Sequence, residues 1–152
     1  MQDKNIFDPE KIVLIEFKMI KGQVDTAENF DMNKVVGYEL DNTLQLGFNL
    51  EDKLSKADFT ISIKTNSKGE NETESIGNFH MIFIYSIDNL ADLAKYEKNK
   101  GLNINPVLAN ALSSITYSTS RGILITRLQG TAMQNFILPV INPSKLIKNT
   151  QK

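Results

Sequence analysis

The chain has no cysteine, no tryptophan, a single histidine and four prolines in 152 residues. Without cysteine there is no disulfide, no thiolate metal ligand and no cysteine nucleophile. An excess of either charge is also missing. Seventeen Lys and Arg stand against 18 Asp and Glu, a formal net charge of −1, so no basic field is available to hold nucleic acid. No apolar run approaches the roughly 18 residues that would span a bilayer. The opening Met1-Gln2-Asp3-Lys4-Asn5 lacks the basic-then-apolar order of a secretory leader. These absences point to a protein that stays in the cytoplasm and away from membranes. Gly-rich phosphate loops of either common type are absent as well.

What is present reads as strands first and helices after. Ile12-Val13-Leu14-Ile15, continuing through Phe17, Met19 and Ile20, is β-branched and short, as a strand requires. A polar stretch follows with scattered large apolar residues, Phe30, Met32, Val35, Val36 and Tyr38. It shows no clean period and is expected to be an irregular crossover between strands. Residues 43–50 then alternate, with Leu44, Leu46, Phe48 and Leu50 on one side, and residues 58–65 do so again with Phe59, Ile61 and Ile63. Asn66 to Glu74 has the composition of a hairpin turn. The run 76–87 is apolar on both faces: Phe79, Met81, Phe83 and Tyr85 on one, Ile82 and Ile84 on the other. Such a strand is central in a sandwich or covered by a second subunit.

The spacing predicts a short helix over 88–97, capped by Asp88 or Asn89. Asn105 before Pro106 is a cap followed by a proline at the first helical position, so a long helix runs from there to about Gln129, with Gly130 as its stop. Leu108, Leu112 and Ile115 make one apolar seam of this helix; Tyr117, Leu124 and Leu128 make another. Between them lie small side chains, among them Ser113, Thr116, Ser120 and Gly122. A solvated helix face normally carries Lys and Glu; small side chains in their place point to a packed interface. Residues 137–143, bracketed by Pro139 and Pro143, are extended, and Ser144-Lys145-Leu146-Ile147 is a last helical turn. The expected class is α+β in one domain over residues 1–152, a four-stranded antiparallel sheet followed by a long helix and a short C-terminal helix.

Groups for chemistry are scarce. His80 lies mid-strand with no second histidine to share a metal, and it reads as a core or interface residue. The carboxylates sit in loops and near strand ends, with no pair marked for acid–base work. Ser120-Arg121-Gly122 does not follow a strand and so makes no nucleophile elbow. No catalytic residue, metal or cofactor is expected, and the chain is read as a binding protein and not an enzyme.

The segment Gly130-Thr131-Ala132-Met133-Gln134-Asn135-Phe136-Ile137-Leu138-Pro139-Val140-Ile141-Asn142 resembles the C-terminal signature of the SecB family. That family closes its long helix with an Arg-Gly-Thr-type turn and continues into an extended Leu-x-Pro-Val-Asn stretch. Here Gln129 replaces the arginine and Asn142 falls one residue late. The order of strands and helices agrees with the family along most of the chain. The resemblance implies an ATP-independent chaperone that holds unfolded or preprotein chains in apolar grooves and serves protein export. It further implies a homotetramer packed through its long helices. Mapped onto this chain, the client groove takes Phe30, Met32, Val36 and Tyr38 from the crossover and Leu108, Leu112 and Ile115 from the helix. The oligomer interface takes Ser113, Thr116 and Ser120 with Ile82 and Ile84. Met and aromatic side chains suit such a task because they offer adaptable apolar contact without demanding one sequence. The family also brings the translocase motor SecA as a partner, and the SecB proteins that serve it are distinctly acidic, unlike this chain. Two alternatives remain open: a dedicated chaperone of a toxin–antitoxin module, and a small-ligand-binding α+β module.

Overall fold

The computed structural model describes residues 7–69 and 73–147. Four long strands, β1 (Ile12–Asp25), β2 (Val35–Asn49), β3 (Leu54–Ser67) and β4 (Ile76–Ile87), form one antiparallel sheet in the order β1-β4-β3-β2. A single helical turn α1 (Leu90–Leu93) leads into a small hairpin, β5 (Ala94–Glu97) and β6 (Gly101–Ile104). The long helix α2 (Pro106–Arg127) follows, and α3 (Ser144–Ile147) closes the described chain.

Alternation explains the sheet. Along β3 every second residue, Ser55, Ala57, Phe59, Ile61, Ile63 and Thr65, is buried, and β4 repeats this from Gly77 to Ile87. These rows face α2 and the segment after it, where Leu108, Leu112, Tyr117, Leu124, Leu128, Met133, Phe136, Leu138 and Leu146 complete the core. Each large apolar side chain fully withdrawn in this way contributes about 1.5–3 kcal/mol. The order of the strands makes β1 and β2 the two edges. The connection between them must therefore cross the end of the sheet that holds the β3–β4 turn. It is tied there: the hydroxyls of Thr26 and Ser75 share a 2.8 Å hydrogen bond, Ser75 Oγ donates to the Asp25 carbonyl at 3.1 Å, and the Lys68 N–H donates to the Lys34 carbonyl at 2.9 Å.

Two expectations are corrected. The crossover ends at Lys34, and β2 begins eight residues before the alternation is obvious, so Val36 and Tyr38 lie in a strand. A register irregularity between Val35 and Gly37 and the polar Asn42 in the inward row, between Leu40 and Leu44, disguise the pattern. The predicted helix over 88–97 is one turn followed by a strand. Lys95, Tyr96 and Glu97 pair with Asn103, Leu102 and Gly101, and the reversal places Asn99 at φ 70° and Gly101 at φ 77°. Gly tolerates that left-handed region at no steric cost, and Asn adopts it more readily than most residues. The helix α2 starts where its caps require: Asn105 Oδ1 accepts from the Val107 N–H at 2.9 Å, with Pro106 at the first helical position.

Candidate functional site

The crossover delivers its apolar residues to one place. Asp31 caps a short 3-10 turn over Met32–Lys34, accepting from the Asn33 N–H at 2.9 Å, and this turn sets Met32 beside the start of β2. Met32, Val35, Val36, Gly37 and Tyr38 then form one wall of a cleft of about 240 Å³. The facing wall is Ala132 and Asn135, from the turn that follows α2. Gly130, at φ 79°, reverses the chain out of the helix, and Thr131 holds the turn by donating its hydroxyl to the Leu128 carbonyl at 2.8 Å. Tyr38 meets Phe136 edge to face with ring centroids 5.1 Å apart, which joins the two walls at their base. Burial raises the Tyr38 phenol above its ordinary pKa, so the group stays a neutral amphipathic surface. Val36 is 60% exposed in the sheet's edge strand. Phe30 is half-buried just before the 3-10 turn.

Of the residues assigned to the groove, the structure thus brings together Met32, Val36 and Tyr38. The helix contribution is corrected. Leu108 and Leu112 are fully enclosed between α2 and the sheet, whereas Ile115 lies on the outward side of the helix. Ala132, Asn135 and Phe136 take the place of these three, and the turn residue Gly130 was the signal that could have found them.

The small side chains of α2 divide between its two sides. Ser113, Thr116 and Ser120 are fully buried within this one chain, so they are not an oligomer interface. They face the sheet, where Thr116 reaches Tyr85 of β4, and their small volume lets the helix lie close to the strands. Thr116 shares a 2.8 Å hydrogen bond with the Tyr85 hydroxyl, Ser113 donates to the Ala109 carbonyl at 2.8 Å, and Ser120 Oγ has no partner among the described residues. The outward side carries Ala111, Ser114, Ile115, Ser118, Thr119, Gly122, Ile125 and Thr126. The nearby charge, Arg121, is turned back onto the chain: its Nε donates to the Leu138 carbonyl at 2.9 Å, and its guanidinium lies 5.3 Å from the Tyr117 ring centroid. An uncharged outward face therefore exists, one step around the helix from the residues that composition singled out.

That face adjoins another apolar surface. A second cavity, about 470 Å³, lies between Phe17 of β1 and Thr119, Gly122, Ile123, Thr126 and Arg127 of α2. Val13, Leu14, Ile15, Phe17 and Ile20 of this edge strand are all exposed. Ile15 and Ile20 sit at the two register shifts of β1, and α2 does not reach far enough to cover the strand's inward row.

The opposite face of the sheet is polar. Ile82 and Ile84 lie there half-buried, opposite Lys18 and Asp58, and Glu16 and Lys56, whose stems shield them. His80 Nε2 lies 2.6 Å from Asp58 Oδ1, a cross-strand pair on the sheet surface. A shallow depression of about 310 Å³ beside it is lined by Lys21, Asp41, Thr43, Thr60, Ser62 and Asn78 among others. Among the described residues no group of three or more His, Asp or Glu is placed to hold a metal, and no helix is long and apolar enough to cross a membrane.

The chain matches no family model and none of the curated proteins. Among solved structures it is similar to the SecB-like chaperone Rv1957 of Mycobacterium tuberculosis, in complex with a ChAD peptide from the Rv1956 HigA1 antitoxin. The TM-score is 0.58 at 7% identity, over 87% of this chain and 91% of that one. It is also matched to a protein of unknown function from Streptococcus agalactiae, with a TM-score of 0.31, 11% identity, and 85% and 97% of the two chains covered. The fold is thus that of a SecB-like chaperone, an α+β architecture with a four-stranded antiparallel sheet, a long helix and a short one.

Proposed function

We propose that this protein is a passive polypeptide-holding chaperone, and that it takes extended client segments at the cleft between the start of β2 and the turn after α2. The observation that carries the reading is the cleft itself. An exposed methionine and edge-strand valine stand beside a half-buried tyrosine in a fold shared with a chaperone that was solved with a peptide bound. Exposed apolar groups of this kind are costly to keep unless a partner covers them. With no nucleotide motif in the chain, holding is governed by mass action, and release follows client folding or competition.

The test is aggregation of an unrelated, chemically unfolded protein on dilution. Added wild-type chain lowers the light scattering, and Tyr38→Ser with Val36→Asp abolishes the effect. A folded wild-type chain that leaves aggregation unchanged overturns the proposal. We further propose a homotetramer built on the uncharged outward face of α2 and the exposed row of β1. Sedimentation at four times the 17.1 kDa chain mass supports it, and a monomer refutes it.

A narrower reading, a chaperone dedicated to the antitoxin of a toxin–antitoxin module, is favoured by the antitoxin peptide in the similar structure. Binding that one peptide while ignoring unrelated unfolded proteins would select it. Delivery to SecA is left out of the proposal. The polar face of the sheet sets Glu16, Asp25, Glu39, Asp41 and Asp58 against Lys18, Lys21, Lys56 and Lys64 and offers no strong acidic field.

A further inference from the structure

The β5–β6 hairpin is packed through β6 and its base, while most of β5 stands in solvent. Its base is secured: Ala94 is buried, Ile104 packs against the core, and the Asn105 N–H donates to the Leu93 carbonyl at 2.7 Å. Its tip is held by the Lys100 N–H donating to the Glu97 carbonyl at 3.1 Å, and by Asn103 Nδ2 donating to Glu97 Oε1 at 2.8 Å. Beyond the base the outer strand β5 outruns the core. Tyr96, on the same face as Ala94, is 71% exposed, and directly opposite it Leu102 is half-buried against the edge of the core. Lys98 and Lys100 flank this ledge at the turn, and Lys95 lies on the other face of β5 with Glu97; all three lysines are exposed and, among the described residues, in no ion pair. The segment 95–100 carries net charge +2 in a chain whose total is −1.

We infer that the hairpin is a docking element for acidic polypeptide, with Tyr96 and Leu102 as the apolar anchor and the three lysines as the selecting charge. A rigid aromatic gives contact area at low entropic cost, and surrounding ammonium groups favour carboxylates and reject basic segments. Nucleic acid fits less well: Glu97 interrupts the basic run, there is no arginine in it, and phosphate binding calls for a longer basic track. The register places the hairpin at the far end of the sheet from the Tyr38 cleft, since it follows Ile87, paired with Ile12, while β2 begins opposite Ser67. A client would need about a dozen extended residues to reach both, at roughly 3.3 Å per residue. The inference extends the client-holding proposal but rests on separate residues.

The experiment uses two fluorescent peptides with identical apolar residues, one with glutamate and one with lysine at every polar position. Their binding to the full chain is read by anisotropy. The acidic peptide is expected to bind about tenfold more tightly, the yield of a few exposed ion pairs. The preference should shrink as salt rises from about 0.05 M to about 0.5 M. Replacing Lys95, Lys98 and Lys100 by glutamine should erase the preference, and Tyr96→Ser should weaken the acidic peptide several-fold, with urea midpoints unchanged in both variants. Equal binding of the two peptides to wild type overturns the inference and leaves the chaperone reading standing. So does a preference that survives the triple variant, or displacement of the acidic peptide by an oligonucleotide. Failure of both peptides to bind overturns the inference and the chaperone reading together.

Discussion

Ser120 offers a test in which the sign of the effect decides where the helix packs. Its hydroxyl is fully buried within the chain and unpaired among the described residues, while one turn earlier Thr116 is buried and bonded to Tyr85. A buried hydroxyl without a partner costs about 1–3 kcal/mol in protein mutational series. Alanine removes that cost and raises helix propensity by a few tenths of a kcal/mol, roughly 0.5 at most. Ser120→Ala is therefore expected to stabilise the fold by about 1 kcal/mol or more. Thr116→Val does the reverse: it orphans the Tyr85 hydroxyl and should cost about 1–3 kcal/mol, much of it recovered when Tyr85→Phe is added. Urea unfolding of the four proteins, each at two chain concentrations, reads these values and separates intrachain packing from assembly. Should Ser120→Ala destabilise the protein, and more so at high concentration, the hydroxyl has a partner on another chain. The assignment of this row to the intrachain core would then be wrong.

Val36→Asp, at a position mostly in solvent, should shift stability by under about 0.5 kcal/mol yet abolish client holding; a parallel loss of both refutes the cleft. Gly77→Ala would bring a Cβ to 2.9 Å from Met133 Sδ and 3.1 Å from Phe79 Cε2, so it should cost about 1–3 kcal/mol in a thermal melt. A neutral result would mean that Met133 can give way freely. The Glu74 carboxyl is held below its usual pKa, first by the 2.5 Å hydrogen bond from Thr65 and then by the Ser67 backbone and side chain and by Lys64. A lowered folded-state pKa means the carboxylate stabilises the β3–β4 turn above the ordinary carboxylate range and stops doing so as pH falls through the lowered value. Amide exchange at Ser67 and Ser75 should accelerate below that range in wild type, whereas Glu74→Gln should exchange fast throughout; identical acid profiles would sink this account.

The residues whose role is written in local periodicity were readable beforehand. Phe59, Ile61 and Ile63 alternate as the strand demands, β4 shows its two apolar faces, and Asn105-Pro106 announces α2. The grouping of Met32, Val36 and Tyr38 came from the family resemblance and not from periodicity. The phase of α2 was not readable, because Leu108 and Ile115 are near neighbours around the helix and only the sheet decides which one it covers. The serines mislead for the same reason: smallness marks close approach, and here the approaching surface is the sheet of the same chain. The β5–β6 hairpin escaped because each of its strands is only four residues long, too short to show a period of two. Its Lys-Tyr-Glu-Lys-Asn-Lys run also suits a helix end as well as a turn.

The two walls of the cleft differ in kind, and this has a thermodynamic consequence. Val36 and Tyr38 belong to a strand laddered to β3 on both sides of the irregularity at Val36, so that wall is largely pre-organised and loses little freedom when a client arrives. Ala132 and Asn135 stand in a turn, pinned by Thr131 and by the Phe136 ring but outside any regular element. Adjustment to clients of different shape must then come from the turn, at an entropic cost confined to a few residues, while the strand supplies an unvarying template. Such a division suits a binder that is tolerant of sequence yet not floppy, and it assigns affinity and tolerance to opposite sides of one opening.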